Sequence, residues 1–378
     1  MTVKELVPGL AGIPAAESAI SYIDGGIGIL EYRGIPIETL AQLSTFEETA
    51  WLLLYGNQPT VAELAGFSKR LREYRSLPEK LIDVIKHLPG AGHPMDALQA
   101  GLACLGMFYR KADYRNKEEC DEAIVRILAA TPMMIATFER FRNGQKYLEP
   151  DPDLDTAGNF LYLLTGQRPT ESACRILDIA LILHADHTMN ASTFTARVVA
   201  SAEADPYTVC SSAVGTLTGP LHGGANERVL KQLEAIGSPD NAGPWLEASL
   251  AAKSKVMGFG HRVYKTKDPR ATILQGLAHQ LFEEQGSTPI YDTALALEKE
   301  VLERLGEKGI YPNVDFFSGI VYSMLGIPTD VFTPVFAMAR VAGYLSHWRE
   351  QMTDNKIFRP TQIYVGDRGI EYTPIEDR

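Results

Sequence analysis

Cysteine is scarce, with 4 in 378 residues, and Cys104, Cys120, Cys174 and Cys210 lie far apart without a Cys-x-x-Cys pair. That spacing speaks against a disulfide framework or a cysteine zinc site and favours reduced, mostly core thiols. Positive charge is in deficit: the net charge is −11, which argues against nucleic acid as the main partner. An anionic substrate would need a local basic pocket that overrides the global field. No uninterrupted apolar run approaches 18 residues, so no membrane span is expected. The start, Met1-Thr2-Val3-Lys4-Glu5-Leu6, has neither an apolar signal core nor an Arg/Ser-rich presequence, and a cytoplasmic protein is expected.

Several chemical signatures are also missing. No Gly-x-x-x-x-Gly-Lys-Ser/Thr loop is present to cradle nucleotide phosphates. Gly26-Ile27-Gly28 lacks the third glycine and the βαβ setting of a dinucleotide fingerprint. There is no Gly-x-Ser-x-Gly nucleophile elbow. Asn190-Ala191-Ser192 fits a glycosylation sequon that a cytosolic chain would not use.

What remains is an ordinary globular composition, 45% hydrophobic and 22% charged, long enough for two domains. In Glu171–His184 the apolar positions Ala173, Ile176, Leu177, Ala180 and Leu181 recur on one helical face. Thr45 and Glu48 read as a capping box opening a helix over Thr45–Leu54. Helical patterns also cover Pro94–Tyr109, Glu118–Phe141, Thr208–Gly215, Asn226–Ile236, Ala271–Glu284, Thr293–Leu305 and Pro334–Gln351. Strand signals are confined to the ends. Ala19–Tyr22 and Ile27–Tyr32 flank the turn Asp24-Gly25-Gly26, and Gln362–Val365 and Ile370–Thr373 flank Gly366-Asp367-Arg368-Gly369. No βαβ rhythm is seen, so the fold class is mainly α with small terminal β-hairpins.

Gly215–Gly224 holds four glycines and a proline and is expected to end one helical block and act as a hinge. Further breaks are expected at Tyr311-Pro312-Asn313 and Gly326-Ile327-Pro328. The division that follows is a large helical domain of residues 1–222 and 321–378, with a small helical domain, 223–320, inserted in it.

Three places hold residues suited to chemistry. In Gly219-Pro220-Leu221-His222-Gly223-Gly224 a histidine is ringed by glycines before a helix start, where amides would keep an imidazole neutral and donating; a loop histidine is the plainer reading. Gly258-Phe259-Gly260-His261-Arg262-Val263-Tyr264-Lys265-Thr266-Lys267-Asp268-Pro269-Arg270 sets an imidazole beside bare backbone and basic side chains; a surface turn before a helix is the alternative. In Asn313-Val314-Asp315-Phe316-Phe317 a carboxylate against aromatic walls should resist ionisation and serve as a base near neutral pH, unless Asp315 merely caps a helix opening at Phe316. His184-Ala185-Asp186-His187 raises the question of a metal, but the order is not His-Glu-x-x-His and no third ligand is evident. Arg270, Arg340 and Arg359 could hold a di- or tricarboxylate bidentately, although surface arginine explains each one alone.

The 258–270 string, with its Gly-x-Gly-His followed by Asp-Pro-Arg, resembles the signature of citrate synthases. The likeness runs along nearly the whole chain: Asp24-Gly25-Gly26 with Leu30-Glu31-Tyr32-Arg33-Gly34, Ser44-Thr45-Phe46-Glu47-Glu48, His187 with Asn190-Ala191-Ser192-Thr193-Phe194, Gly219-Pro220-Leu221-His222-Gly223, and Asn313-Val314-Asp315. The chain looks like the compact form of the family, without the N-terminal extension of its NADH-regulated members. The resemblance implies a helical dimer whose small domain closes over substrate, and condensation of acetyl-CoA with oxaloacetate to citrate and CoA. It implies Asp315 as base, His222 and His261 as catalytic donors, and His187, Arg270, Arg340 and Arg359 on the oxaloacetate carboxylates, Arg359 coming from the partner subunit. It implies CoA contacts from Val256, Met257, Gly258, Phe259, Gly260 and Lys308, and neither metal nor cofactor. A 2-methylcitrate synthase using propionyl-CoA would carry the same residues. A non-catalytic helical scaffold would need none of them.

Overall fold

The computed structural model describes residues 6–109 and 112–378; of the Met1–Leu6 start only Leu6 falls within it. Three short strands come first. β1 (Ser21–Asp24) pairs antiparallel with β2 (Ile29–Tyr32) around the expected turn, Ser21 facing Tyr32, and β2 pairs with β3 (Ile35–Pro36). Helices follow: α1 (Ile37–Leu43), α2 (Phe46–Tyr55), α3 (Val61–Glu73), α4 (Glu79–Lys86), α5 (Pro94–Met107), α6 (Lys117–Arg142), α7 (Thr156–Thr165) and α8 (Glu171–His184). Then come α9 (Ala191–Ser201), α10 (Pro206–Leu217), α11 (Ala225–Ile236), α12 (Ala242–Ala251), α13 (Pro269–Gln285), α14 (Pro289–Leu305), α15 (Val314–Met324) and α16 (Phe332–Thr353). The fold is mainly α.

Local chemistry sets most boundaries. Asp155, Thr170, Asn190, Asp205 and Thr288 each cap a helix by accepting a first-turn N–H. Thr45 caps α2 by accepting from Glu48 N–H at 3.2 Å. The Glu48 carboxylate takes the Ser44 hydroxyl at 3.0 Å instead of closing the expected box. A reciprocal capping box forms at Thr60 and Glu63.

α16 is the axis of the molecule. Phe332–Trp348 is buried without interruption, the signature of a helix surrounded by others, and it packs against α2, α6, α8, α9 and α10. Segments 225–324 form a second cluster, α13 against α15, α11 against α15 and α12 against α14.

Two further expectations are not met as stated. The C-terminal hairpin does not form: 356–372 carries no strand, and Ile363, Tyr364, Val365, Ile370 and Tyr372 are exposed. Two isolated strands cannot hold together without a surface to pack on. The non-helical stretch is also shorter than 215–224, because α10 runs through Gly215 to Leu217. A Cβ on Gly215 would lie 2.4 Å from Gln99 Nε2, so this glycine lets α10 approach α5 and does not break the helix. The breaks at 311–313 and 326–328 are present.

Gly343 plays a similar part in α16. A Cβ there would meet Ala185 O at 2.4 Å and Asp186 Oδ1 at 2.6 Å. Gly343→Ala gains helix propensity but overpacks a buried contact, at a cost of about 1–3 kcal/mol. Chemical denaturation should show a lower midpoint, and an unchanged or raised midpoint would contradict this packing.

Candidate active site

The site is built around the turn after α8. Tyr32 Oη accepts the Asp186 N–H at 3.1 Å and donates to Asp186 O at 2.8 Å. The buried Asp186 carboxylate accepts from Ser21 Oγ at 2.5 Å and lies 3.3 Å from His347 Nε2. Burial opposes its ionisation, yet His347, Arg340 and Ser21 together hold its pKa below the usual range. Thr188 N–H reaches Ser21 Oγ at 3.0 Å, and Thr188 sits at φ 50, a strained conformation for a β-branched residue. His187 is thereby aimed at the buried Tyr264 hydroxyl, 3.3 Å from its Nε2. His184 turns away, its Nδ1 donating to Ala180 O at 2.6 Å and its ring packed edge-on to Phe336. Among the described residues no group of three or more His, Cys, Asp or Glu could hold a metal ion.

His261 lies beside His187, ring centroids 5.3 Å apart. Its Nδ1 accepts the backbone N–H groups of Val263, at 3.0 Å, and Tyr264, at 3.2 Å. With both donors on Nδ1, the neutral ring carries its proton on Nε2. Burial, then Arg270, lowers its pKa to about 4, so at neutral pH it is an uncharged donor. His187 is likewise pushed well below its ordinary value by burial, with Arg270, His261 and Arg340 adding.

His222 sits in the turn between α10 and α11. The sequence placed helix amides beside it, and the structure supplies one, but from α9. Ser192 N–H, a free donor in the first turn of α9, donates to His222 Nε2 at 3.3 Å. Ser192 Oγ lies 2.7 Å from the same nitrogen and receives Tyr344 O–H at 2.7 Å. With the Ser192 N–H donating to it, Nε2 is assigned as the acceptor and Nδ1 as carrying the proton; the Ser192 hydroxyl then turns to Nε2 and away from Asn190 Oδ1, 2.8 Å from it. Burial and Arg340 lower this pKa to about 4. Sequence reasoning gave Ser192 no role; its place three residues before Thr195 on a capped helix carried no chemical signal.

Asp315 is half-buried at the second position of α15. Asn313 is the cap, accepting Asp315 N–H at 3.0 Å, so the capping alternative for Asp315 falls. No described residue donates a hydrogen bond to its carboxylate. Burial, against the pull of Arg270 and with Asp268 adding, lifts its pKa to about 7, as the aromatic neighbours implied. Asn313 also laces the 258–260 strip to the start of α15. Its N–H donates to Gly258 O and its Nδ2 to Gly260 O, each at 2.9 Å, and Gly260 N–H donates to Tyr311 O at 2.9 Å. Gly258, at φ 82, passes so close to Phe316 that a Cβ would lie 2.8 Å from its ring. His261 and Asp315 are thus tied by a few bonds between neighbouring backbones.

Arg270 and Arg340 are buried. Arg270 grips Asp268 through Nη2–Oδ2 at 2.7 Å and Nε–Oδ1 at 3.1 Å, and its Nη1 donates to none of the described residues. Arg340 Nε donates to His184 O at 2.7 Å, with the guanidinium 4.7 Å from the Phe336 ring centre. It has no carboxylate within ion-pair distance among the described residues. A buried cation without a counter-charge is costly, and it marks where an anion belongs.

The other expected residues lie further out. Met257 N–H donates to Gln232 Oε1 at 2.8 Å and Gly260 N–H to Tyr311, while the amides of Val256, Gly258 and Phe259 have no acceptor among the described residues. Lys308 is exposed, and so is Arg359, which makes no hydrogen bond or ion pair with the described residues of its own chain.

This arrangement has known counterparts. A family model described as citrate synthase, C-terminal domain, matches residues 9–361. A curated citrate synthase of Synechocystis is 55% identical over 370 residues, 98% of this chain and 93% of that one. One from Acidithiobacillus ferridurans is 46% identical with both chains covered in full. Among solved structures, citrate synthase of Pyrobaculum aerophilum superposes with a TM-score of 0.92 at 40% identity, covering 99% of this chain and 95% of that one. A citrate synthase of Thermoplasma acidophilum, solved as a ternary complex with carboxymethyl coenzyme A and oxaloacetate, superposes at 0.94 with 33% identity, over 99% of this chain and 100% of that one. With likeness of this extent in sequence and in fold, the chain belongs to the citrate synthase family.

Proposed function

We propose that this enzyme condenses acetyl-CoA with oxaloacetate and water to give citrate and CoA, with Asp315, His222 and His261 carrying the proton transfers. The observation that carries this reading is the match between the protonation states in the site and those the reaction needs at neutral pH. The first step removes a proton from a weakly acidic methyl group, which calls for a carboxylate base poised near pH 7. The oxygen charge that develops on the thioester is met by His222 Nδ1–H, a neutral donor acting as in an oxyanion hole. The enol carbon attacks the oxaloacetate ketone, and His261 Nε2–H polarises that oxygen and protonates it as the carbon–carbon bond forms. Water then cleaves the citryl thioester, releasing CoA as the thiol. Each step is a proton transfer or an attack on a carbonyl carbon, so the reading calls for no metal or prosthetic group.

Oxaloacetate carboxylates pair with Arg340 and Arg270 and receive a hydrogen bond from His187, and Arg359 completes this set from the partner of a homodimer. The exposed apolar residues around Val365 and Tyr372 fit a tail that lies on a second subunit. The open amides of Val256, Gly258 and Phe259 face CoA, and Lys308 serves its phosphates. Residues 223–320 close as a small domain over the large one, 1–222 with 321–378, and shield the enolate from water. The described residues include no helix long and apolar enough to cross a membrane, and free cysteines suit a reducing cytoplasm.

A thiol-release assay with oxaloacetate and either acetyl-CoA or propionyl-CoA tests the reaction. Acetyl-CoA should be the better substrate, and a higher kcat/KM with propionyl-CoA would reassign the enzyme. In the same assay Asp315→Ala and His222→Ala should each lose roughly 10²–10⁴-fold in kcat while folding normally. Retention of more than a tenth would remove that residue from its role.

The pH profile follows from the site. Only ionised Asp315 accepts a proton, so kcat/KM for acetyl-CoA should rise with pH through an apparent pKa of about 7 and then level off. His222 and His261, each at about 4, stay neutral from pH 5 to 8 and add no limb in that window. A flat profile from pH 5 to 9 would contradict the assignment of Asp315.

For Arg359 the test is complementation. Mixing Arg359→Ala subunits with His261→Ala subunits gives heterodimers with one complete site, and up to about a quarter of wild-type turnover is expected from random pairing. Confirmed heterodimers without activity would place Arg359 in its own subunit's site or in none.

A further inference from the structure

We propose that the β1–β2 hairpin is a positioning element for the active site, fixing His187 from its first residue and His261 from its tip. At the base, Ser21 holds the 186–188 turn through Asp186 and Thr188 N–H, and His187 lies between them. At the tip, Gly25 O accepts Lys265 N–H at 2.8 Å. The backbones meet so closely there that a Cβ on Gly25 would lie 2.2 Å from Val263 O. Val263 N–H is one of the two donors on His261 Nδ1. The path from hairpin to imidazole is therefore a single residue long, and any side chain at position 25 must displace the peptide that sets the tautomer and aim of His261.

The hairpin suits this work. β1 and β2 are in register from Ser21–Tyr32 to Asp24–Ile29, and Asp24 Oδ1 accepts Gly26 N–H at 2.9 Å to stiffen the turn. A strand advances roughly 3.3 Å per residue, so four paired residues hold base and tip at a constant separation. The two histidines they brace sit side by side and share Tyr264 as a neighbour. Tyr32, at the other end of the register from the tip, clamps the backbone of Asp186. Gly28 makes a second tip contact, where a Cβ would meet Thr266 Cγ2 at 2.9 Å.

This inference rests on His261 acting on the oxaloacetate ketone, and the test separates the two. Gly25→Ala is compared with Gly26→Ala, a change in the same turn whose Cβ would approach only Asp24 Oδ1. Three quantities are read: kcat, the ¹³C shift of the ketone carbon of bound oxaloacetate, and the ¹⁵N shifts of the His261 ring in the free enzyme. Gly25→Ala should lose on the order of 10–100-fold in kcat, as small misplacements of a reacting group do. It should lose part of the ketone displacement and show mixed His261 tautomers, while Gly26→Ala keeps all three within twofold. Loss of activity in Gly25→Ala with ketone and ring signals intact would overturn the proposal, and so would equal losses in both variants. A wild-type enzyme that turns over without displacing the ketone signal would instead refute the role of His261, leaving the ring ¹⁵N shifts to judge the brace. Should Gly25→Ala fail to fold, Gly28→Ala pushes on Thr266 Cγ2 while also straining a backbone at φ 74; adding Thr266→Ser leaves that strain, removes the clash and should restore the ring signals. No restoration would count against the proposal.

Discussion

The clamp on Asp186 is the interaction on which the site depends. A turn buried between a helix end and a hairpin must pair its backbone polar groups or carry the cost of desolvating them. Tyr32 meets that requirement from one side by exchanging hydrogen bonds with the N–H and the carbonyl of Asp186. From the other side Gly343 lets α16 pass against the same turn, bringing Arg340 to His184 O and His347 to the Asp186 carboxylate. His187 is left with no freedom except to face the site.

The electrostatics follow from that placement. A chain of net charge −11 would repel a dianionic substrate at long range, so attraction has to be local. In the proposed reaction Arg270 and Arg340 supply it, in a region from which water is largely excluded and in which charges act strongly. Burial, helped by Arg340 at His222, by Arg270 at His261 and by both at His187, keeps the three imidazoles uncharged. Uncharged imidazoles are the more useful groups for enolisation, because they donate hydrogen bonds without drawing a second anion into the site. Burial acts in the opposite sense on Asp315 and raises its pKa. One dry, basic pocket thus holds neutral imidazoles beside a carboxyl poised near neutral pH, the pairing that the proposed reaction uses.

Much of this was legible in the sequence, for identifiable reasons. Glu171–His184 showed its helix because its apolar face repeats cleanly and Thr170 caps it. The glycine-flanked His222 and His261 stood out because such residues serve no packing purpose. Asp315 could be read as a shifted base from Phe316 and Phe317 beside it. Features that depend on distant pairs were hidden. Ser192 reaches His222 across thirty positions, and Gly25 meets Val263 across more than two hundred. Gly215 was misread because a glycine that admits a neighbouring helix looks the same in sequence as one that ends its own. The tail at 362–373 has strand-like alternation, yet alternation makes a strand only where something covers the apolar face.

The fold concentrates its costs at this one place. An uncompensated buried arginine is worth several kcal/mol of lost stability, and a threonine held at positive φ about 1–3 kcal/mol more. A desolvated carboxylate adds to these, against a net stability for a typical domain of about 5–15 kcal/mol. Such a site persists only if its surroundings are rigid and apolar enough to over-determine it. α16 answers that need: its buried run from Phe332 to Trp348 packs on α2, α5, α6, α8, α9, α10 and α11, at about 1.5–3 kcal/mol for each large apolar side chain removed from water. Arg340 is carried on that helix, so a central packing element of the core also holds a buried charge without a counter-ion. In the proposed reaction a substrate carboxylate at Arg340 supplies the missing counter-charge and repays that cost directly.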